Sequence, residues 1–160
     1  MTNNDISKVD ALQDYVKRVK CSVSSDKRRA CLISLMQFML DERLGCSKIE
    51  EEEYMGRSYM ILGNMIIDIR GDIHWHHEHS FDRIKDYLLY LRVHNPGHTY
   101  IVVVTDGLRF HAYMPKYNES GQVLELERLQ GMNLASSLIT PQQALNDLGV
   151  ILSNFTLRLT

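Results

Sequence analysis

From Tyr100 to Val104 the chain reads Tyr-Ile-Val-Val-Val, an unbroken apolar run whose last four residues all branch at Cβ. Such side chains are stiff in a helix and pack well on a pleated surface, so the run predicts a strand. Asp106-Gly107 follows as a type I′ turn signal, and Leu108 to Met114 reads as the partner strand. A second hairpin is predicted upstream, where Ser58 to Leu62 and Met65 to Ile69 flank the two-residue turn Gly63-Asn64. Lys48 to Tyr54 is polar and charged, and suits an edge strand.

Helical spacing takes over elsewhere. Ile6, Val9, Leu12, Val16 and Val19 recur at three- and four-residue steps and form one stripe, with Lys17, Arg18 and Lys20 on the opposite face. Ser24 or Ser25 is placed to cap a second helix running to about Arg43, with Gly45 placed to end it. Ala30 to Leu40 is apolar enough to predict burial. Asp82 to Val93 returns to helical spacing through Ile84, Leu88 and Leu91, and Asn95-Pro96-Gly97 stops it. Residues 116–122 read as an exposed loop, and Thr140 and Pro141 open a last helix to about Phe155. The predicted order is helix, helix, three strands, helix, two strands, helix. That is an α/β (α+β) chain with helices flanking a mixed, roughly five-stranded sheet.

A length of 160 residues with 44% hydrophobic content fits one domain over residues 1–160, and no linker or repeat divides it. Leu157, Arg158 and Leu159 still read as structured sequence, so the chain is expected to be the N-terminal piece of a longer protein. Cys21, Cys31 and Cys46 are an odd number without CxxC spacing, which excludes a disulfide framework and a zinc knuckle and points to a reducing compartment. Met1 to Asp5 lacks the plan of a signal peptide and no segment has the apolar length of a membrane helix, so a cytoplasmic protein without membrane contact is expected. There is no GxxxxGK loop, GxGxxG turn or GxSxG elbow, which removes the common nucleotide and hydrolase signatures.

With 18 basic against 20 acidic residues and a net charge of -2, nucleic-acid binding would need a local patch. Lys17, Arg18, Lys20, Lys27, Arg28 and Arg29 cluster at the junction of the first two helices and can meet a phosphate backbone, though ordinary surface has the same composition. His74, His76, His77 and His79 surround Trp75. Alternation puts His74, His76 and Glu78 on one face, a donor set for zinc or nickel; the alternative is a solvated segment. Glu50 to Glu53 reads as a solvated edge, or as a source of an additional metal ligand.

Two helices and a strand, then GRSYMILGNMIIDIRG, a helix ending in DYLLYLRV, and TYIVVVTDGLRFHAYMP: this succession resembles the N-terminal nuclease domain of type I restriction-enzyme motor subunits and related phage-defence proteins, within the PD-(D/E)xK nucleases. The resemblance covers roughly Cys46 to Pro115. It implies a restriction-endonuclease-like core, DNA as partner, other subunits of a defence complex as neighbours, and Mg²⁺-dependent phosphodiester hydrolysis where the site is active, with no cofactor otherwise. Gly56-Arg57 matches the family's opening, Asp68-Ile69-Arg70 stands where Glu-x-Lys would, Tyr87 or Tyr90 sits near the conserved helix position, and Thr105-Asp106-Gly107 matches the turn.

Alternation puts Ile66, Asp68 and Arg70 on one face of their strand, so an acid and a cation project together. Across a two-residue turn at Gly63-Asn64, Tyr59 falls opposite Asp68, where the family's metal-binding Asp belongs. Tyrosine is not an anionic ligand at neutral pH, and Arg70 cannot give up a proton. A second alignment takes Asp68 as the first acid and Glu78-His79-Ser80 as the Glu-x-Lys element. It keeps two carboxylates but separates them by about 16 Å along the ladder. The expectation is a degenerate nuclease domain that binds DNA through the basic junction and Arg57. Asp68, Arg70 and Glu78 form its catalytic set, and Asp68 and Glu78 its Mg²⁺ ligands. The alternatives are an inactive protein-interaction module on the same fold and a histidine metal binder.

Overall fold

The computed structural model describes residues 3–22, 24–44, 49–70, 81–134, 136 and 138–156. Four helices, α1 (Asn3–Cys21), α2 (Ser25–Leu44), α3 (Asp82–His94) and α4 (Pro141–Thr156), accompany six strands. The strands are β1 (Glu50–Tyr54), β2 (Arg57–Leu62), β3 (Met65–Ile69), β4 (Ile101–Thr105), β5 (Arg109–Tyr117) and β6 (Val123–Asn133). They lie in one sheet in chain order. All neighbouring pairs are antiparallel except β3 and β4, which are parallel and joined by the crossover that carries α3. The architecture is therefore the expected α+β one with a mixed sheet.

Period-two alternation divides the core. Met65, Ile67 and Ile69 of β3 and Ile101 and Val103 of β4 face α1, α2 and α4, whose Leu12, Tyr15, Val19, Leu32, Met36, Leu145 and Leu148 complete that layer. Ile66, Val102 and Val104 face α3, packing with Tyr59, Ile84, Tyr87, Leu88 and Leu91. Helices on both faces explain why Tyr100 to Val104 has no polar position. Ser24 Oγ accepts from the Lys27 backbone N–H at 3.2 Å and Thr140 Oγ1 from that of Gln143 at 3.1 Å, capping α2 and α4. Gly63-Asn64 is a two-residue connection, with Leu62 paired to Met65. Among the described residues, no helix is long and apolar enough to cross a membrane.

Three expectations need correction. Among the described residues the sheet has six strands, one more than the roughly five expected. In β6, Leu124, Leu126, Leu129 and Met132 fall out of period two because the β5–β6 register shifts between Ala112 and Tyr113 and again between Lys116 and Tyr117. Each bulge inserts an extra residue, Leu129 and Leu124, and leaves it 45% and 62% exposed. Residues 116 and 117 belong to β5, so the loop expected over 116–122 shrinks to a turn closed by the Asn118 N–H donating to Gln122 O at 2.9 Å.

The β4–β5 connection is wider than a type I′ turn, since Thr105 pairs with Phe110. Asp106 Oδ1 accepts from the backbone N–H groups of Leu108 at 2.9 Å and Arg109 at 2.8 Å, and this local bonding replaces the tight turn. The expected helix stop at Gly45 and the start of the edge strand at Lys48 lie outside the described residues.

Candidate functional site

Because β3 alternates, Asp68 points to the α3 side near the carboxyl end of the strand, where it is fully buried. Its Oδ1 accepts from Arg57 Nε at 2.9 Å and Nη2 at 2.7 Å, and its Oδ2 accepts from Arg70 Nε at 2.8 Å. The Arg57 side chain is 28% exposed and that of Arg70 only 9%. Arg70 lies one residue beyond β3, held by its backbone N–H donating to Thr105 O at 2.8 Å. Asp68 and Arg70 thus share a face, as alternation requires, and Arg57 joins them from the neighbouring strand.

A row of paired residues crosses the sheet at this level. Glu52 pairs with Tyr59, Asp68 with Val104, Val104 with His111 and His111 with Gly131. The Met60–Ile67 pairing, continued by one residue, sets Tyr59 beside Asp68. The Tyr59 ring stacks on that of Tyr87, with centroids 4.5 Å apart and planes 6° from parallel. Tyr87 in turn donates its hydroxyl to Glu52 Oε2 at 2.8 Å. The Tyr59 hydroxyl is buried and has no hydrogen-bond partner among the described residues. Burial first, and then the Asp68 carboxylate, push it up to about 12, against the opposing pull of Arg57, Arg70 and Arg83. Burial and the bond to Glu52 push Tyr87 higher still.

An aromatic wall closes one side. The Arg70 guanidinium lies 5.5 Å from the Phe81 ring centroid, and Phe81 meets Tyr113 edge-on at 5.2 Å. Burial raises the Tyr113 hydroxyl, opposed by Arg128 and Arg70. Arg128 pairs with Tyr113 across the β5–β6 ladder and folds over Gly131. A Cβ at Gly131 would stand 2.5 Å from Arg128 Nη2 and 3.2 Å from the His111 ring, so the bare backbone makes room for the guanidinium. Arg83, Arg128, Phe81 and Tyr113 are absent from the sequence-derived site. They lie on three separate elements, and only the β5 alternation of His111 with Tyr113 hints at a shared face.

Among the described residues, the groups around Asp68 do not make up a Mg²⁺ site. Both Asp68 oxygens are held by guanidiniums, and the next carboxylate in the row, Glu52, is bonded to Tyr87 and sits two strands away, about 10 Å at the usual strand spacing. Among the described residues, no group of three His, Cys, Asp or Glu side chains is arranged to hold a metal. Glu78, His74 and His76 lie outside the described residues.

The basic junction divides into two kinds of residue. Arg28 is tied into the fold, its Nε and Nη2 bonding Ser22 O at 3.3 and 3.1 Å and its Nη1 bonding Asp106 O at 3.2 Å. Arg18 pairs with Asp14 at 2.9 Å and Arg29 with Asp26 at 3.1 Å. Lys17, Lys20 and Lys27 are exposed and make no ion pair among the described residues. Through Asp106 the junction lies beside the carboxyl end of β4, the same end of the sheet as Asp68 but under its other face. No family model matches the chain, and no curated protein or solved structure matches it either.

Proposed function

We propose that this chain is a nucleic-acid-binding domain on a restriction-endonuclease-like scaffold, part of a cytoplasmic restriction or phage-defence assembly, which holds the phosphodiester backbone without hydrolysing it. The observation that carries this reading is the state of Asp68. A carboxylate serving as a metal ligand offers its negative charge to the ion, and here Arg57 and Arg70 already donate three hydrogen bonds to its two oxygens and balance that charge. Tyr59 beside it supplies no second anionic ligand. Positive groups at one end of the sheet, Arg57, Arg83, Lys17, Lys20 and Lys27, support contact with phosphates despite the net charge of -2.

Fluorescence anisotropy with labelled duplex and single-stranded oligonucleotides tests binding, and gel assays with Mg²⁺ or Mn²⁺ test cleavage. The expected result is binding that weakens steeply with salt, with the oligonucleotide intact. Charge reversal at Lys17, Lys20 and Lys27 lowers the affinity; Arg28 is unsuitable for this purpose because its loss also releases the β4–β5 loop. Metal-dependent cutting that Asp68→Ala abolishes would restore the enzyme. Failure to bind at low salt would leave the interaction-module alternative in its place.

A further inference from the structure

We infer that the outer face of the α1–α2 pair is a self-association surface, on which a second copy of this chain docks with its α1 and α2 antiparallel to those of the first. The inference goes beyond the nucleic-acid reading, and Lys17, Lys20 and Lys27 do not line the groove on which it turns.

Apolarity is the first support. No charged residue stands between Ala30 and Leu40, a run too apolar for a helix with one side in water. Leu32, Leu35 and Met36 bury its inner side in the core, whereas Ala30, Ser34 and Phe38, recurring at four-residue steps, stay at the surface, with Phe38 47% exposed. Shape is the second. A groove of about 150 Å³ runs between the two helices, lined by Ala11, Asp14 and Arg18 of α1 and by Cys31, Ser34 and Phe38 of α2 among others. Phe38 stands at one end of this groove, and the small side chains of Cys31 and Ser34 leave room towards the other. A two-fold axis across the groove therefore seats each Phe38 over the Ala30 to Ser34 segment of the other copy. One patch that carries both the protruding group and the space for it is what an isologous dimer requires. Charge is the third, and it selects a second copy as the occupant. Asp14 and Arg18 stand four residues apart on the α1 wall of the groove, their side chains 60% and 68% exposed. Antiparallel docking of a second α1 sets each Asp14 against the Arg18 of the other copy; parallel docking would set like charges together.

Sedimentation equilibrium of the full chain, without nucleic acid, tests the inference. The wild type should show a monomer–dimer equilibrium. Phe38→Asp changes a half-exposed side chain, so it should keep the circular dichroism spectrum of the wild type while weakening dimerisation by about a hundredfold. Asp14→Lys and Arg18→Glu should each dimerise about tenfold more weakly, because each places two like-charge pairs in its own dimer. A one-to-one mixture of these two variants restores opposite charges at both pairs and should regain the association that each has lost. That recovery is specific to antiparallel copies and does not depend on how the fold tolerates a change at Phe38. A wild type that remains monomeric at every concentration, which would leave the groove to a different partner, overturns the inference. So does a dimer that Phe38→Asp leaves intact, or a mixture that associates no better than either charge variant alone.

Discussion

The hydroxyl of Tyr15 on α1 donates to the carbonyl oxygen of Gly107, 92 residues further along the chain, in the loop between β4 and β5. Arg28 bonds the carbonyl of the adjacent Asp106, so two helices clamp the loop that follows Thr105, the residue whose carbonyl anchors Arg70. Gly107 has φ +100, and a Cβ there would come 2.8 Å from Val19 Cγ1, on a stiff β-branched side chain. Gly107→Ala is therefore expected to destabilise the fold by roughly 2–4 kcal/mol, by strain and by steric displacement of Val19. Tyr15→Phe should cost about 1–3 kcal/mol, through the carbonyl left without its donor. Urea unfolding of both variants checks this; midpoints equal to that of the wild type would mean the loop is not clamped.

Asp68→Ala leaves two guanidiniums facing each other, one of them almost wholly buried, and is expected to cost about 3–5 kcal/mol. Removing Arg70 as well lowers the positive charge left around the vacated position, so Asp68→Ala/Arg70→Met should melt above Asp68→Ala alone. A double variant no more stable than the single one would show that the ion pair does not act as a unit.

Much of this site was legible in the sequence because it depends on local rules. Gly63-Asn64 sets the β2–β3 register, the register sets Tyr59 beside Asp68, and alternation turns Asp68 and Arg70 to one face. The meeting of Arg70, Phe81 and Tyr113 was not legible, because it depends on how the start of α3 packs across the sheet. Arg28 shows the same limit: a surface cation by composition, it is half-buried because Asp106 reaches it from 78 residues away. The sixth strand was hidden by its two bulges, which break the alternation that identifies a strand.

Alkali is expected to unfold the protein through its buried tyrosines. Tyr59 rises from 10.0 to about 12, chiefly through burial, and burial also raises Tyr15 and Tyr87, with the bond to Glu52 adding to the rise at Tyr87. The folded state favours the neutral phenol, so this contribution to stability is complete below pH 10.0 and is lost as pH rises through about 12 for Tyr59. Tyrosinate absorbance followed alongside circular dichroism should show a late ionisation step that coincides with loss of structure. Complete ionisation of every tyrosine near pH 10.0 in a protein that stays folded would contradict it.

Tyr59→Phe separates the structural role of that residue from any role in nucleic-acid binding, because the two move in opposite directions. Among the described residues the buried hydroxyl has no partner, an arrangement that costs about 1–3 kcal/mol relative to an apolar group of the same shape. Phenylalanine keeps the ring stacked on Tyr87 and drops the penalty, so the variant is expected to be about 1 kcal/mol more stable in urea. If the hydroxyl donates to a phosphate of bound nucleic acid, the same variant binds the oligonucleotide several-fold more weakly. A side chain that only fills space would give higher stability and unchanged affinity. Lower stability would mean that the hydroxyl already has a partner in the folded protein.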